Sequence, residues 1–408
     1  MNNFFQNKTA LFTLIAASII TLSTMGVRQT FGLFSSDFEV NQNISTLEFG
    51  FAIAFHSLIW GIFTIVFGRM GDKYGGRRGT IIALVLYSIA IYALGNNFSS
   101  GIWFQINLGL LVGLGLAGAA GTIMAPQVTK HFPNHNRAKA ASIVTAFGGL
   151  GMFIFPIMTN VFKNQFSWEA TLIIFSIVLI IMLIPAFFLR LPENYETQAV
   201  TSNTTNESAL TVLKKSLKHR GFRLLILGFF VCGFQITLIA THVPKYVAER
   251  GLSDWTGFAI LALIGLFNIF GTLLMGILAD KYSKKILLSG LYFLRGITLM
   301  IFIFLPPSDI LAVFFGISFG MLWLATVPAT NGIVAQVFGT KNISLLFGVV
   351  FLNHQIGSFL GAFLGGWFYE NFGSFDYAWY LAIFLSFVAT LLHLPIDERP
   401  LEKETVTP

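Results

Sequence analysis

The sequence predicts an all-α membrane protein with twelve transmembrane helices in two pseudo-symmetric six-helix bundles. Three observations carry that prediction. The 408 residues are 55% hydrophobic and only 11% charged, which leaves a water-soluble domain too little polar surface to cover itself. Apolar runs long enough to cross a bilayer core, about 20 residues each, recur along nearly the whole chain. A short basic loop recurs 208 positions later, at the equivalent place in each half. In hydrocarbon only helices and closed barrels satisfy their own backbone, and the unbroken apolar runs exclude the in-out alternation of a barrel.

The first span, residues 10–35, starts near Leu11, and no small-residue cleavage site follows its apolar core; it is expected to be retained rather than removed as a signal peptide. The second and third spans, 48–69 and 79–97, flank the segment FGRMGDKYGGRRG. Glycines fill the fourth span (101–128) and the fifth (138–162), the latter also carrying Pro156. The sixth, 168–190, closes the first half, residues 1–191. Residues 192–221 then turn polar, with TQAVTSNTTNES followed by KKSLKHR, and read as a cytoplasmic linker whose basic end lies along the anionic leaflet. The second half, 222–408, opens with a span at 222–247 that holds the lone cysteine, Cys232, so neither an intrachain disulfide nor a cysteine metal cluster is possible. The eighth and ninth spans, 256–279 and 286–305, flank MGILADKYSKKIL. The tenth to twelfth are expected at 309–337, 343–369 and 376–395, the eleventh carrying Gly357, Gly361, Gly365 and Gly366. Small residues four apart share a helix face and permit close approach; static packing and a rocking interface both fit them.

Charge sets the orientation. With both termini cytoplasmic, the inside loops hold Arg69, Lys73, Arg77, Arg78, Lys130, Arg137, Lys139, Lys281, Lys284, Lys285 and Lys341, and the outside loops only Lys163, Lys245 and Arg250. The net charge of +7 is thus topological and no nucleic-acid partner is implied. A multi-pass protein of the cell inner membrane is expected, with the lipid bilayer as its surroundings.

The repeated loop also carries a family resemblance. Gly68, Asp72, Lys73, Gly75, Arg77 and Arg78 match, in order, a signature found between helices 2 and 3 of the major facilitator superfamily, and Asp280 and Lys281 repeat Asp72 and Lys73. Span count, linker and repeat extend the resemblance over the whole chain. It implies a transporter working by alternating access, in which this loop latches the two halves in the outward-facing state; the arginines fit a plain cytoplasmic anchor as well.

Charges at bilayer depth narrow the cargo. An arginine there costs about 3 kcal/mol on insertion scales. Arg28, two thirds along the first span, and Arg295, ten residues into the ninth, are candidates to face a substrate, with snorkelling to an interface as the alternative for each. None of the 18 acidic residues falls mid-span, so a central cavity would be cationic and its ligand an organic anion. Within the superfamily the chain is most similar to the monocarboxylate-porter branch and its bacterial relatives, which place a basic residue in helix 1 six positions before a Phe, as Arg28 precedes Phe34. Two expected features are missing. The Asp/Arg pair that this branch carries in helix 8 is replaced by Asn268 and Thr272, and the fourth span lacks the arginine that many proton-coupled members of the superfamily carry ahead of its glycines.

With no buried carboxylate, the candidates for carrying protons as a coupling ion are His56 and His354, each equally suited to a neutral hydrogen bond between helices. Gln29, Asn331 and Gln355 are further candidates for substrate binding, although amides also glue helices together. An enzyme would need a clustered nucleophile, acid pair or metal site, and a channel charged rings or a filter motif; the sequence offers none, and no cofactor or metal is expected. The expectation is a secondary transporter for a small organic anion, a monocarboxylate or related acid. The alternative is a larger polycarboxylate such as a siderophore or lipopeptide, ahead of a cationic drug.

Overall fold

A computed structural model describes residues 8–96, 101–132, 134–190, 209–339 and 343–401. Among them are twelve helices long and apolar enough to cross a membrane: Lys8–Gln29, Thr46–Gly71, Gly76–Leu94, Gly101–Thr129, Lys139–Gln165, Trp168–Ala186, Arg220–Glu249, Asp254–Lys281, Lys284–Phe304, Asp309–Phe338, Leu345–Phe372 and Asp376–His393. They are called the first to twelfth spans below. Serines start several of them, as expected where the first N–H groups lack helical partners. Ser45 and Glu48 form a reciprocal capping box at the second span, and the Ser167 and Ser308 hydroxyls accept from Ala170 N and Leu311 N.

Three spans depart from the plain rods the sequence implies. The first ends at Gln29, six residues earlier than expected, and continues through a single-turn 3-10 helix, Phe31–Phe34, into a short helix, Ser35–Gln42. The fourth breaks at Ala120, whose ψ of 168° is extended, before restarting at Gly121. The tenth stops at Leu322 and restarts at Thr326. A break at bilayer depth frees carbonyl oxygens that lipid cannot satisfy, so side chains must. In the fourth span the Thr80 hydroxyl donates to Gly118 O (3.0 Å) and the Thr24 hydroxyl to Ala119 O (3.1 Å). In the tenth, Arg295 does the work described below.

The buried apolar side chains form two large clusters, one almost wholly from residues 10–189 and one almost wholly from 212–396. Of the segment expected to be a linker, 192–208 lies outside the described residues, and Ala209–Lys218 is helical. That helix docks through Val212 and Ser216, both buried, because positions four apart share one face.

The clusters meet along three helix pairs. A Cβ built on Gly50 of the second span would lie 2.6 Å from Ala362 O of the eleventh, and one on Gly366 would lie 2.7 Å from Thr46 O. The fifth and eighth spans touch where Gly149 faces Ile269. Gly32, just past the first span, abuts Ala240 O of the seventh. At the end carrying Asp37 and Glu39, called the outer end here, Lys245 of the second half donates to Glu39 (2.6 Å) and Thr46 (2.6 Å) of the first. Toward the opposite end, Gly276 and Gly348 have no neighbour within 4 Å of a built Cβ. The halves are therefore joined from the outer end to mid-membrane.

Candidate functional site

Arg28 is buried on the first span, 9% exposed. Its guanidinium carbon lies 5.3 Å from the centroid of Trp60, and no hydrogen-bond acceptor or carboxylate among the described residues pairs with it. Trp60 is itself held by a bond from its indole N–H to the Thr122 hydroxyl (3.4 Å). His56, one turn before Trp60, lies within Coulombic range of Arg28, and its ring meets Phe31 edge-on at 6.1 Å. Both ring nitrogens of His56, and both polar atoms of the Gln29 amide, are buried without a partner among the described residues. The chain has spent a desolvated cation and several uncompensated polar groups on one region, which a fold built for stability alone would avoid.

The second half closes on this region through the eleventh span. Phe351 stacks edge-on against Trp60 at 5.8 Å, and Gln355 packs on Gly61, its Cβ 3.0 Å from a Cβ built there. His354 shares a hydrogen bond with Gln355 Oε1 (3.2 Å) and packs between Phe229 and Phe351. Gln355 Nε2 stays unpartnered. Asn331 sits half-buried in the lower segment of the tenth span, Thr326–Phe338. Its neighbour Thr330 is fully buried and its hydroxyl has no partner.

Arg295 is placed differently from the expectation that it faces a substrate. It is fully buried, and its donors are occupied inside the second half. Nε and Nη2 donate to Leu322 O (3.1 and 2.7 Å), Nη2 also to Trp323 O, and Nη1 to Gln235 Oε1 (3.4 Å). Asn268 supplies the complementary acceptor, taking Leu324 N (3.0 Å) and the Thr272 hydroxyl (3.2 Å). Thus Arg295, Asn268 and Thr272 hold the break in the tenth span together. A guanidinium forks naturally across two successive carbonyls, and an amide oxygen suits the N–H that follows.

The loop motif is built largely from backbone. The helix of the second span runs on to Tyr74, Gly75 reverses the chain at φ 82°, and the third span starts at Gly76. That φ needs glycine. Gly71 and Gly76 make room for Gln127 of the fourth span, and Gly68 faces Ile123. Lys73 and Arg78 lie over the Tyr74 ring (5.0 and 5.6 Å), and Arg77 over Phe187 (4.5 Å). The Asp72 side chain lies outside the described residues. Asp280 and Lys281 are exposed at the end of the eighth span. The contacts described for this loop stay within the first half.

Sequence reasoning did not single out Trp60, or Thr237, a fully buried residue whose hydroxyl has no partner among the described residues. A signal for the second existed. The displacement of 208 that maps Asp72 onto Asp280 also maps Gln29 onto Thr237.

Comparison with known proteins agrees with this architecture. The profile of the Major Facilitator Superfamily matches residues 11–326. An uncharacterized MFS-type transporter, YcxA of Bacillus subtilis, is 23% identical, over 97% of each chain. Monocarboxylate transporter 12 of Mus musculus is 23% identical, over 92% of this chain and 82% of its own, and the hexuronate transporter of Bacillus subtilis 22%, over 90% of each. Among solved structures, a bacterial homolog to the human lysosomal transporter Spinster, inward-facing and unoccupied, superposes with a TM-score of 0.72 over 95% of each chain at 16% identity.

Proposed function

The chain belongs to the Major Facilitator Superfamily of multi-pass secondary transporters, and we propose that its cargo is a small organic anion bound through one carboxylate at Arg28. One observation carries this reading: the Arg28 guanidinium is buried at bilayer depth with no acceptor among the described residues. A carboxylate can take two parallel N–H bonds from such a fork and cancel its charge, which returns the cost of keeping the cation dry.

The sign and number of charges follow from the same geometry. Arg295 is spent on the tenth span, so among the described residues Arg28 is the one buried guanidinium without an acceptor, and a monoanion matches it better than a polycarboxylate. Two of the relatives are named for monocarboxylates and for hexuronates, and those cargoes share one carboxylate. Carriage is by alternating access across the cell inner membrane, with both termini on the cytoplasmic side and the loop at Gly75 facing the cytoplasm. The observed state, joined at the outer end, is then the one that opens inward. His56 is the candidate for proton coupling, since a carboxylate on Arg28 supplies the negative charge that an imidazolium at His56 would need.

Counterflow in proteoliposomes tests the reading, with labelled carboxylates, wild type against Arg28→Gln, at several pH values. Carboxylate exchange should be lost or greatly weakened in Arg28→Gln while the protein remains folded. Uptake of cationic compounds without carboxylate exchange would refute the anion assignment, and an unchanged rate in Arg28→Gln would remove that residue from the site.

A further inference from the structure

The turn just past the first span meets the seventh span at positions related by the internal repeat. Gly32 presses on Ala240 O, and 32 maps onto 240 by the same 208 positions that map Asp72 onto Asp280. The pseudo-twofold axis of the molecule therefore passes close to this crossing. One turn inward on each chain stand Gln29 and Thr237, again related by 208. Thr237 lies three residues before Ala240 in one continuous helix and shares its face, and Gln29 ends the first span one turn before Gly32.

Both side chains are fully buried, and neither has a polar partner among the described residues. Gln29 leaves both its amide oxygen and its amide nitrogen unused, and Thr237 its hydroxyl. Gln29 directly follows Arg28 in the chain, and both groups lie inward of the outer closure made by Lys245, Glu39 and Thr46. Packing does not explain them, since an apolar residue would fill either place at lower cost. Capping does not explain them, because the nearby Thr30 hydroxyl already serves the end of the first span by donating to Val27 O (2.8 Å).

From this pair we infer that the cargo is a hydroxylated organic acid, whose hydroxyl groups bridge Gln29 and Thr237 across the axis while its carboxylate lies on Arg28. The inference rests on the carboxylate reading of Arg28 given above. An amide that can both donate and accept, facing a hydroxyl that can do the same, matches an alcohol, which also does both. A plain alkyl carboxylate would satisfy Arg28 and strand the other groups. Sites built to hydrogen-bond a hydroxyl discriminate strongly against analogues that lack it, because the site's own polar atoms are then left buried and unpaired.

The experiment is counterflow in proteoliposomes with propionate, lactate and gluconate, which carry none, one and five hydroxyl groups on one carboxylate. In wild type, the half-saturation concentration should fall in that order, with gluconate at least about tenfold below propionate, the effect of about 1.4 kcal/mol. Gln29→Leu and Thr237→Val should each shrink the propionate-to-gluconate ratio, by roughly fivefold or more. The wild-type ranking needs no variant, so a misfolded mutant cannot hide the answer. Equal handling of propionate and gluconate by wild type overturns the inference and leaves the carboxylate reading standing. Variants that shift both acids by the same factor overturn it too, by showing a structural role. Failure of all three acids with retention of a neutral polyol would instead overturn the carboxylate reading, and Arg28→Gln separates that case.

Discussion

Replacing Arg295 by glutamine should cost stability rather than cargo recognition. The guanidinium makes two donations to Leu322 O, at 3.1 and 2.7 Å, and a further one to Trp323 O. Hydrogen bonds from a charged donor are worth about 1.5–3 kcal/mol each, and the two donations to one oxygen share its lone pairs, so two full bonds is a fair count. The expected loss is then roughly 3–5 kcal/mol, because glutamine's shorter amide cannot span two successive carbonyls and the tenth span's break would bury them unpaired. For a cooperative unit of about 200 residues this corresponds to a fall in Tm of roughly 6–20 °C. Thermal unfolding of the detergent-purified protein, followed by tryptophan emission, measures it directly. Half-saturation for the transported acid, assayed well below that temperature, should stay within about twofold of wild type. An unchanged Tm together with a large rise in half-saturation would refute the reasoning and return Arg295 to the substrate.

Three further outcomes follow from other parts of the structure. Lys245→Gln removes the ion pair that joins the halves at the outer end; with Glu39 partly exposed the pair is worth about 1 kcal/mol, so the equilibrium should move roughly fivefold toward the outward-open state. Labelling of a cysteine placed beneath the closure reads that shift, and slower labelling than wild type would contradict it. Gly50→Ala and Gly233→Ala both drive a Cβ into a carbonyl, of Ala362 and His354 respectively, but only the first lies between halves. Gly50→Ala should therefore favour the outward-open state with little loss of Tm, whereas Gly233→Ala should lower Tm in every state, by an overpacking cost of about 1–3 kcal/mol; equal Tm losses would argue against the distinction. Burial pushes the Asp37 carboxyl up, and Lys163 only partly offsets it. A raised folded value means the folded state holds that proton more tightly, so this contribution is present at acid pH and is lost as pH rises through the folded value. Asp37→Asn should then be as stable as wild type or more so at neutral pH, with a flatter Tm profile just above the ordinary carboxylate range; a large Tm loss confined to neutral pH would show the ion pair to be a net stabiliser.

The number of spans was legible because bilayer thickness fixes how long an apolar run must be, and no tertiary context can override it. The family was legible from one loop, since Gly75 at positive φ and the basic side chains beside it are local requirements. Breaks were not. Ala120 and Trp323 are apolar, and what opens the helix there is the supply of donors from other spans: Thr24 and Thr80 in one half, Arg295 in the other. Only three-dimensional proximity reveals such capping. The same holds for the site. Arg28 and Arg295 look alike in sequence, each a lone cation in an apolar helix, and differ only in whether acceptors stand within reach. Gln355 could be singled out as polar, yet its position against Gly61 depends on how the eleventh span crosses the second.

The repeat makes the difference between the two arginines intelligible. The displacement of 208 carries Thr24 onto Cys232 and Tyr87 onto Arg295. In the first half, Thr24 caps the broken fourth span itself, and Tyr87 merely donates its hydroxyl to Thr24 O (3.3 Å). In the second half, Cys232 stands where Thr24 would be, and a thiol is a poor donor to a carbonyl. Its sulfur rests near the Thr326 hydroxyl instead, 3.3 Å away. The duty of capping passes to the next residue with reach, the one in Tyr87's place, and a guanidinium there covers two carbonyls at once. The first half has no such need, so its arginine is free. A duplicated frame with one exchanged hydroxyl thus explains why Arg295 is engaged in capping the tenth span while Arg28 is left, among the described residues, without an acceptor.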